Sequence, residues 1–218
     1  AAVYHYAPYQ HALEQRLILR PDDWKSLAAQ LPPGAVLIAL TSIYWRESWK
    51  YGERAFRYCH HDVGHAIGAV AFSAATLGWR TRLIDGVGDD ELARLLGVDR
   101  QQGIEAEHPD ALLAVFPADA NMPATIALHW PAALGSWLQT AEFTGVPNRL
   151  SHNHHPWPVI DEVAQASRYA PALFRRTDCQ SVPPPPPPPF PAIESAPVPF
   201  PDRPFPAEQI IRQRRSAV

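Results

Sequence analysis

An adjacent lysine and tyrosine, Lys50 and Tyr51, are the side chains whose type and rarity first suggest chemistry. The chain has 19 basic residues besides histidine, and all of them are arginines except Lys25 and Lys50. A lysine can lose its proton when its surroundings favour the neutral amine, whereas an arginine stays charged. Lys50 is therefore a candidate proton-handling group. The alternative is a solvated helical lysine beside a tyrosine of the core.

Histidines suggest a second kind of chemistry. His61 and His65 are spaced so that a helix would place them on one face, as in zinc-binding helices, and His60 is adjacent. The stretch lacks the glutamate of the H-E-x-x-H motif, so we favour a packed His65 at a helix start over a metal ligand. We expect no metal site, and the same preference for a surface loop applies to His152, His154 and His155.

These candidates lie within a series of strand and helix signals. Continuous apolar segments of strand length predict strands, and segments with start and stop residues predict helices. The predicted strands are 35–43, 81–84 and 111–116, and the predicted helices are 24–31, 62–78, 89–96, 132–138 and 160–166. A sheet packed against helices follows from this order, so we predict an α+β fold, with α/β as the alternative.

The segment 62–78 is rich in alanine and glycine and apolar nearly all round. Asp62 can cap a helix there, and Gly78 can end it. A helix that is apolar on all sides is buried, either in a protein core or in a membrane. Its apolar stretch is at the short limit of a membrane span and carries His65 and Ser73. We therefore expect the buried centre of the fold, in which Gly68→Leu would overpack the core.

Composition limits the class of protein. The chain has 218 residues and a net charge of −3, which argues against a nucleic-acid surface. Cys59 and Cys179 are too few for a disulfide-rich secreted scaffold, and the chain opens without a signal peptide. We expect a cytoplasmic protein that binds neither nucleic acid nor membrane, and the missing initial methionine predicts a partial chain.

A proline-rich segment divides the chain. Residues 183–189 are an unbroken run of prolines, a composition that favours polyproline II and acts as a spacer. We predict a linker at 166–206, between a domain at 1–165 and the start of a further domain at 207–218. A ligand for an SH3 or WW domain is the alternative to a plain linker.

The block at residues 49–79 resembles the nitroreductase superfamily of flavin-dependent enzymes, specifically its SagB-type branch, which includes thiazoline and oxazoline dehydrogenases. The matching features are the W-K-Y-G-x-R-A start at Trp49, the D-x-G-H-A helix opening at Asp62 and the A-A-x-L-G-W exit that ends at Trp79. The resemblance covers roughly residues 1–165. It implies an α+β fold that pairs two subunits or tandem copies, with FMN bound between them, and a first domain that lacks its N-terminal segment.

The resemblance also implies roles for particular residues. Lys50 would be the base that removes a proton while the flavin takes a hydride at N5, and Tyr51 would relay the proton or orient Lys50. The substrate would be an azoline-containing peptide, a nitroaromatic, a quinone or another small molecule. The alternative is a non-catalytic docking half in a tandem or multi-subunit assembly. The residues implied near the FMN ring or its phosphate are His65, Gly78, Trp79, Arg214, Arg215 and Ser216.

Overall fold

The computed structural model of the chain describes residues 1–118, 126–150 and 155–171, together with Pro206, Gln209 and Arg212. The chain divides into two compact units, residues 1–175 and residues 176–218. In the second unit, the backbone N–H of Gln209 donates a hydrogen bond to the carbonyl of Pro206. The proposed linker at 166–206 and domain start at 207–218 lie mostly outside the described residues and stay predictions.

An antiparallel hairpin that the sequence analysis missed opens the first unit. Strand β1 (Ala2–Ala7) pairs with β2 (Ala12–Ile18), and His11 in the turn between them has a φ of 49°. The alternation of Tyr4 and Tyr6 with other residues in β1 is a strand signal. Residues 2–18, which were assigned to no predicted element, therefore form a strand pair.

The main sheet has four strands in the order β3–β5–β4–β6. These strands are β3 (Val36–Ser42), β4 (Trp79–Asp85), β5 (His108–Pro117) and β6 (Ile126–Ala127). Strand β5 runs antiparallel to β3 and β4, and β6 runs parallel to β4. Because β5 lies between two strands and carries an apolar run, its residues 112–116 are only 0–8% exposed.

Six helices surround this sheet in the described part of the first unit. They are α1 (Pro21–Ala28), α2 (Trp45–Tyr51), α3 (Ala55–Thr76), α4 (Asp89–Leu96), α5 (Ala132–Leu138) and α6 (Pro158–Ala166). The larger core joins the sheet to α1, α4 and α5. Helix α4 has the bounds that its caps predict, because the Glu91 carboxylate accepts a hydrogen bond from the Gly88 N–H at 2.8 Å and Gly97 ends the helix at φ 73°.

A smaller core cluster lies where α2, α3 and α6 meet. Its buried members are Tyr44, Ala55, Cys59, Ile160 and Ala164, with Tyr51, Phe56 and Trp157 partly buried against them. The thiol of Cys59 is free and 5% exposed, and burial raises its pKa to about 11. Cys59 is therefore a packing residue of the smaller core, without the low pKa and exposure that a reactive thiol needs.

The long helix α3 is not the buried centre that the sequence predicted. It starts at Ala55 instead of residue 62, since no glycine or proline interrupts the chain between Gly52 and Gly64. Of its 22 residues, only Ala55, Cys59 and Ala74 are buried. The face of α3 that points away from the sheet is open, because no described element packs on it. A helix covers most of the predicted segment 62–78, but the prediction that this helix is the buried centre of the fold is wrong.

The α+β fold is confirmed by this arrangement of sheet and helices. Among the described residues, no helix is long and apolar enough to cross a membrane. The compact part continues beyond the predicted boundary at residue 165. Beyond that boundary, the Tyr169 backbone N–H donates a hydrogen bond to the Asp89 carboxylate at 2.9 Å. The Tyr169 hydroxyl donates a second hydrogen bond to the Asp85 carboxylate at 3.1 Å.

Candidate functional site

The Lys50–Tyr51 pair lies on the surface at the junction of α2 and α3. The Lys50 Nζ sits 5.0 Å from the centre of the Tyr51 ring. The Tyr51 ring packs against Tyr58 at 4.7 Å between centroids, and Tyr58 lies 6.4 Å from the His61 ring. These contacts form a continuous row, which we call the α3 ladder, of Lys50, Tyr51, Tyr58 and His61. The structure thus links two of the predicted site residues to the histidine pair.

A tight turn holds the α3 ladder in place. Gly52 follows Tyr51 at φ 56°, a conformation that strongly favours glycine, and it separates α2 from α3. A Cβ at this position would lie 3.3 Å from the Trp157 ring, so a larger residue would press on the smaller core. Gly52 therefore fixes how the end of α2, which carries Lys50 and Tyr51, is oriented relative to α3.

Lys50 is protonated in this setting. Its side chain is exposed, and its interaction with the Tyr51 hydroxyl, together with a smaller contribution from Glu47, raises the pKa of Lys50 above its ordinary value. A base must first lose its proton, so this environment alone does not activate Lys50. Burial of the amine beneath a further surface would shift the pKa in the opposite direction.

His65 lies on the outward face of α3, one turn beyond His61. Its Nδ1 is 3.8 Å from the Asp62 carboxylate, and both side chains are largely exposed. His60 points elsewhere and packs against Phe56 at 4.4 Å. The described residues contain no group of three histidine, cysteine or acidic side chains able to hold a metal ion. His152 and His154 lie outside the described residues.

Gly78 and Trp79 lie at the far end of α3. Gly78 has φ 72°, and Trp79 begins β4, where it pairs with Pro117. Tyr58 and Gly78 are about 20 positions apart, which corresponds to roughly 30 Å along a helix. A single chain therefore does not bring the Lys50–Tyr51 pair and the Gly78–Trp79 turn to one small ligand.

The remaining predicted site residues, Arg214, Arg215 and Ser216, lie outside the described residues, so their role stays a prediction. Tyr58 was not among the predicted site residues, although its seven-residue spacing from Tyr51 and three-residue spacing from His61 pointed to it. It also missed a cleft around Asp110. The signal there was a charged residue at the start of the apolar run of β5.

These elements define an α+β protein in which a four-stranded sheet carries one long helix with an open face. The family model described as the nitroreductase family matches residues 6–114, which is half of the chain. The chain belongs to the nitroreductase family, whose members are oxidoreductases that generally bind a flavin.

Two relatives accompany this match. A nitroreductase-like protein of Methanocaldococcus jannaschii is 29% identical over 100 residues, which are 44% of this chain and 50% of the relative. The chain thus spans about half the length of that curated relative. The crystal structure of a nitroreductase-like protein from Anabaena variabilis is 23% identical with a TM-score of 0.42, over 66% of this chain and 32% of the other.

Proposed function

We propose that the protein is an FMN-dependent oxidoreductase of the SagB type, whose cofactor lies between this domain and a second nitroreductase-like domain. The observation that carries the proposal is the open face of α3 beside the α3 ladder. His61, Gly64, Gly68 and Phe72 share this face by their helical spacing. Phe72 is 77% exposed, although it is a large apolar side chain. A family member with such a face is expected to cover it with a partner surface.

The residues on this face fit a flat ring. A Cβ added at Gly64 or Gly68 would meet no described atom within 4 Å, so these glycines leave a smooth, clear surface. The rings of Tyr51 and Tyr58 supply aromatic area at one end of it. His65 projects from the same side of the helix and offers a polar group to the edge of a ring.

A second domain is needed because the proposed site residues are too far apart in one chain. An antiparallel copy of α3 would bring the Gly78–Trp79 turn of one domain close to the Lys50–Tyr51 pair of the other. Either a homodimer or a tandem copy would meet this requirement. Arg214, Arg215 and Ser216 would then belong to the phosphate-binding segment of the second copy.

The chain's own residues handle the proton in this proposal. Bound FMN supplies the redox chemistry, accepting a hydride at N5. Lys50 Nζ takes a proton from the substrate once the second domain has covered it and lowered its pKa. Tyr51 positions Lys50, since its ring lies under the ammonium group.

Lysine substitutions test the proton-transfer role. Lys50→Met and Lys50→Arg are each expected to slow anaerobic flavin reduction by a thiazoline-containing peptide by roughly 100-fold or more, because neither side chain can accept a proton. Lys25 of α1 is an exposed lysine in the same chain. Lys25→Met and Lys25→Arg serve as matched controls and are expected to leave the rate unchanged.

The arginine variant separates two explanations of any loss. If Lys50→Arg keeps the wild-type rate while Lys50→Met does not, the positive charge is what matters and the base assignment is wrong. If both variants keep the wild-type rate, Lys50 has no part in the reaction. Stopped-flow absorbance of the flavin in the complete protein is the measurement.

A non-catalytic docking half is the second candidate function. The observation that favours it is the exposed, protonated state of Lys50 in this chain. A complete protein that purifies without a flavin absorbance band and cannot be reconstituted with FMN would support this candidate. A yellow preparation that loses its colour on unfolding would support the enzyme.

The substrate class and location complete the proposal. An azoline-containing peptide is the substrate that the SagB-type resemblance favours, and nitroaromatics or quinones are alternatives for a general nitroreductase. Turnover of p-nitrobenzoate or menadione with no oxidation of the thiazoline peptide would favour the general class. A cytoplasmic location is part of the same proposal.

A further inference from the structure

A cleft of about 680 Å³ opens in the first unit, and Tyr44 is one of its lining residues. Helices α3, α4 and α6, the start of β5 and the residue before α2 supply its walls. Neither Lys50 nor Tyr51 lines it. The lining residues that matter here are Tyr44, His60, Asp89, His108, Asp110 and Asp161.

Asp110 is a buried carboxylate in the wall of this cleft. Its side chain is 2% exposed, and neither of its oxygens has a hydrogen-bond partner among the described residues. The His60 Nδ1 lies 3.8 Å away, beyond hydrogen-bond distance, and burial lowers the pKa of His60, so this imidazole does not neutralise the carboxylate near neutral pH. Burial raises the pKa of Asp110 to about 6, and the nearby Ser42 hydroxyl offsets this only in part. Ser42 lies close enough to lower the pKa but does not meet hydrogen-bond geometry, and no cation of the described residues pairs with Asp110, so burial of this carboxylate is costly unless something neutralises it.

Two other acids of the cleft, Asp89 and Glu107, already have hydrogen-bond partners. The Asp89 carboxylate accepts the Tyr169 N–H at 2.9 Å. The Glu107 carboxylate accepts the Thr41 hydroxyl at 2.5 Å and the Gln101 amide at 3.2 Å. The described residues assemble no set of three metal ligands, and the cleft is far larger than a bare ion needs. The geometry therefore favours an organic cation over a metal ion.

An aromatic shelf lies beside Asp110. The rings of Tyr44 and His108 stack 4.6 Å apart at 28°. Burial lowers the pKa of His108 and raises that of Tyr44, so both rings are uncharged near neutral pH. Such a surface suits the alkyl part of a ligand, and the face of Tyr44 attracts a cation. We propose that this cleft binds a small alkylammonium or alkylguanidinium ion, with its charged head on the Asp110 carboxylate and its body on the Tyr44–His108 shelf.

A matched pair of ligands and a matched pair of variants test the proposal. The probes are n-butylguanidinium and its neutral counterpart n-butylurea, titrated into the full chain and followed by calorimetry and by amide shifts in NMR spectra. Asp110→Asn removes the proposed partner, and Asp99→Asn removes an exposed acid that also lines the cleft. We expect saturable binding of butylguanidinium that weakens about tenfold or more in Asp110→Asn and less than about twofold in Asp99→Asn. Butylurea is expected to bind at least about tenfold more weakly than butylguanidinium.

Each other outcome contradicts the proposal. Equal weakening by both variants would mean diffuse charge attraction, and equal binding of both probes would mean an apolar cleft without a cation site. Loss of butylguanidinium binding on addition of MgCl₂ or ZnCl₂, in an Asp110-dependent way, would identify an inorganic-cation site. If Asp110→Asn does not fold, the effect of each probe on the melting temperature of the wild-type chain still tests the proposal. Butylguanidinium should raise it and butylurea should not, and the absence of any difference would overturn the proposal.

Discussion

The two sides of the sheet differ in how far their apolar residues are covered. On one side, α1, α4 and α5 close over β5, and Leu112, Ala114 and Phe116 are only 0–4% exposed. On the other side lies α3, which is rich in alanine and valine. Its outward face is open, and Phe72 on that face is 77% exposed. An apolar helix therefore predicts burial without telling whether the covering surface comes from the same domain.

The comparison has a consequence for stability. The β5 side holds the domain together through contacts within the chain, whereas the open face of α3 contributes little to the free energy of unfolding until something covers it. Three changes test this contrast. The first is in the closed core, the second at the cleft and the third on the open face of α3.

The largest expected effect is on the closed core. Phe116→Ala should lower the free energy of unfolding by about 3–5 kcal/mol, because it removes the largest of the fully buried side chains. The matched control is Phe72→Ala, which removes the same atoms from the open face and should change stability by less than about 0.5 kcal/mol in the monomer. Urea unfolding at low protein concentration measures both. Equal losses would show that α3 is covered within one chain.

The next effect concerns Asp110 and pH. Its folded-state pKa of about 6 lies above the ordinary value of 3.8, so the folded state binds the proton more tightly than the unfolded state. Stability from this group is therefore present at low pH and lost as pH rises through 6. The titratable groups facing Asp110 are Tyr44, Cys59, His60, Asp89, Glu107 and His108.

Because those groups are present in both proteins, the difference between wild type and Asp110→Asn isolates the Asp110 contribution. Without added amines, we expect the variant to unfold at similar urea concentrations to wild type at pH 4 and to be about 2–3 kcal/mol more stable at pH 8. A wild-type protein that is the more stable of the two at pH 8 would mean that the carboxylate already has a partner.

The smallest effect is on the open face itself. Gly68→Leu should stabilise the isolated chain by about 0.5–1 kcal/mol, since it replaces a mid-helix glycine and its Cβ meets no described atom within 4 Å. This reverses the overpacking that the sequence analysis expects. A destabilised monomer in urea unfolding would restore the buried-helix interpretation.

Local signals predicted much of the fold. The caps of α4 and the bounds of α5 follow from short-range residue preferences, and the apolar run of β5 identifies the central strand. The hairpin of β1 and β2 was missed, because its tyrosines alternate in a polar segment that reads equally well as a loop. The start of α3 was placed too late, because Asp62 offered a cap in the middle of an uninterrupted helix.

The sites were harder to predict than the fold. Lys50 and Tyr51 could be selected from residue type and resemblance, but their exposure depends on what covers α3. Asp110 could not be selected, because its isolation arises only when β5, α3 and α4 meet. Spacing along the chain carries no information about a carboxylate that lacks a partner in three dimensions.

One measurement tests most directly whether a second domain and FMN cover the open face of α3. FMN affinity and hydrodynamic radius, which responds to pairing of two chains and of two tandem domains alike, would be determined for the complete protein carrying Gly68→Leu, with Ala132→Leu as the control on the exposed start of α5. The account predicts that Gly68→Leu abolishes FMN retention and domain pairing while the chain stays folded, and that Ala132→Leu leaves both intact. Wild-type FMN affinity and pairing in the Gly68→Leu protein would contradict it.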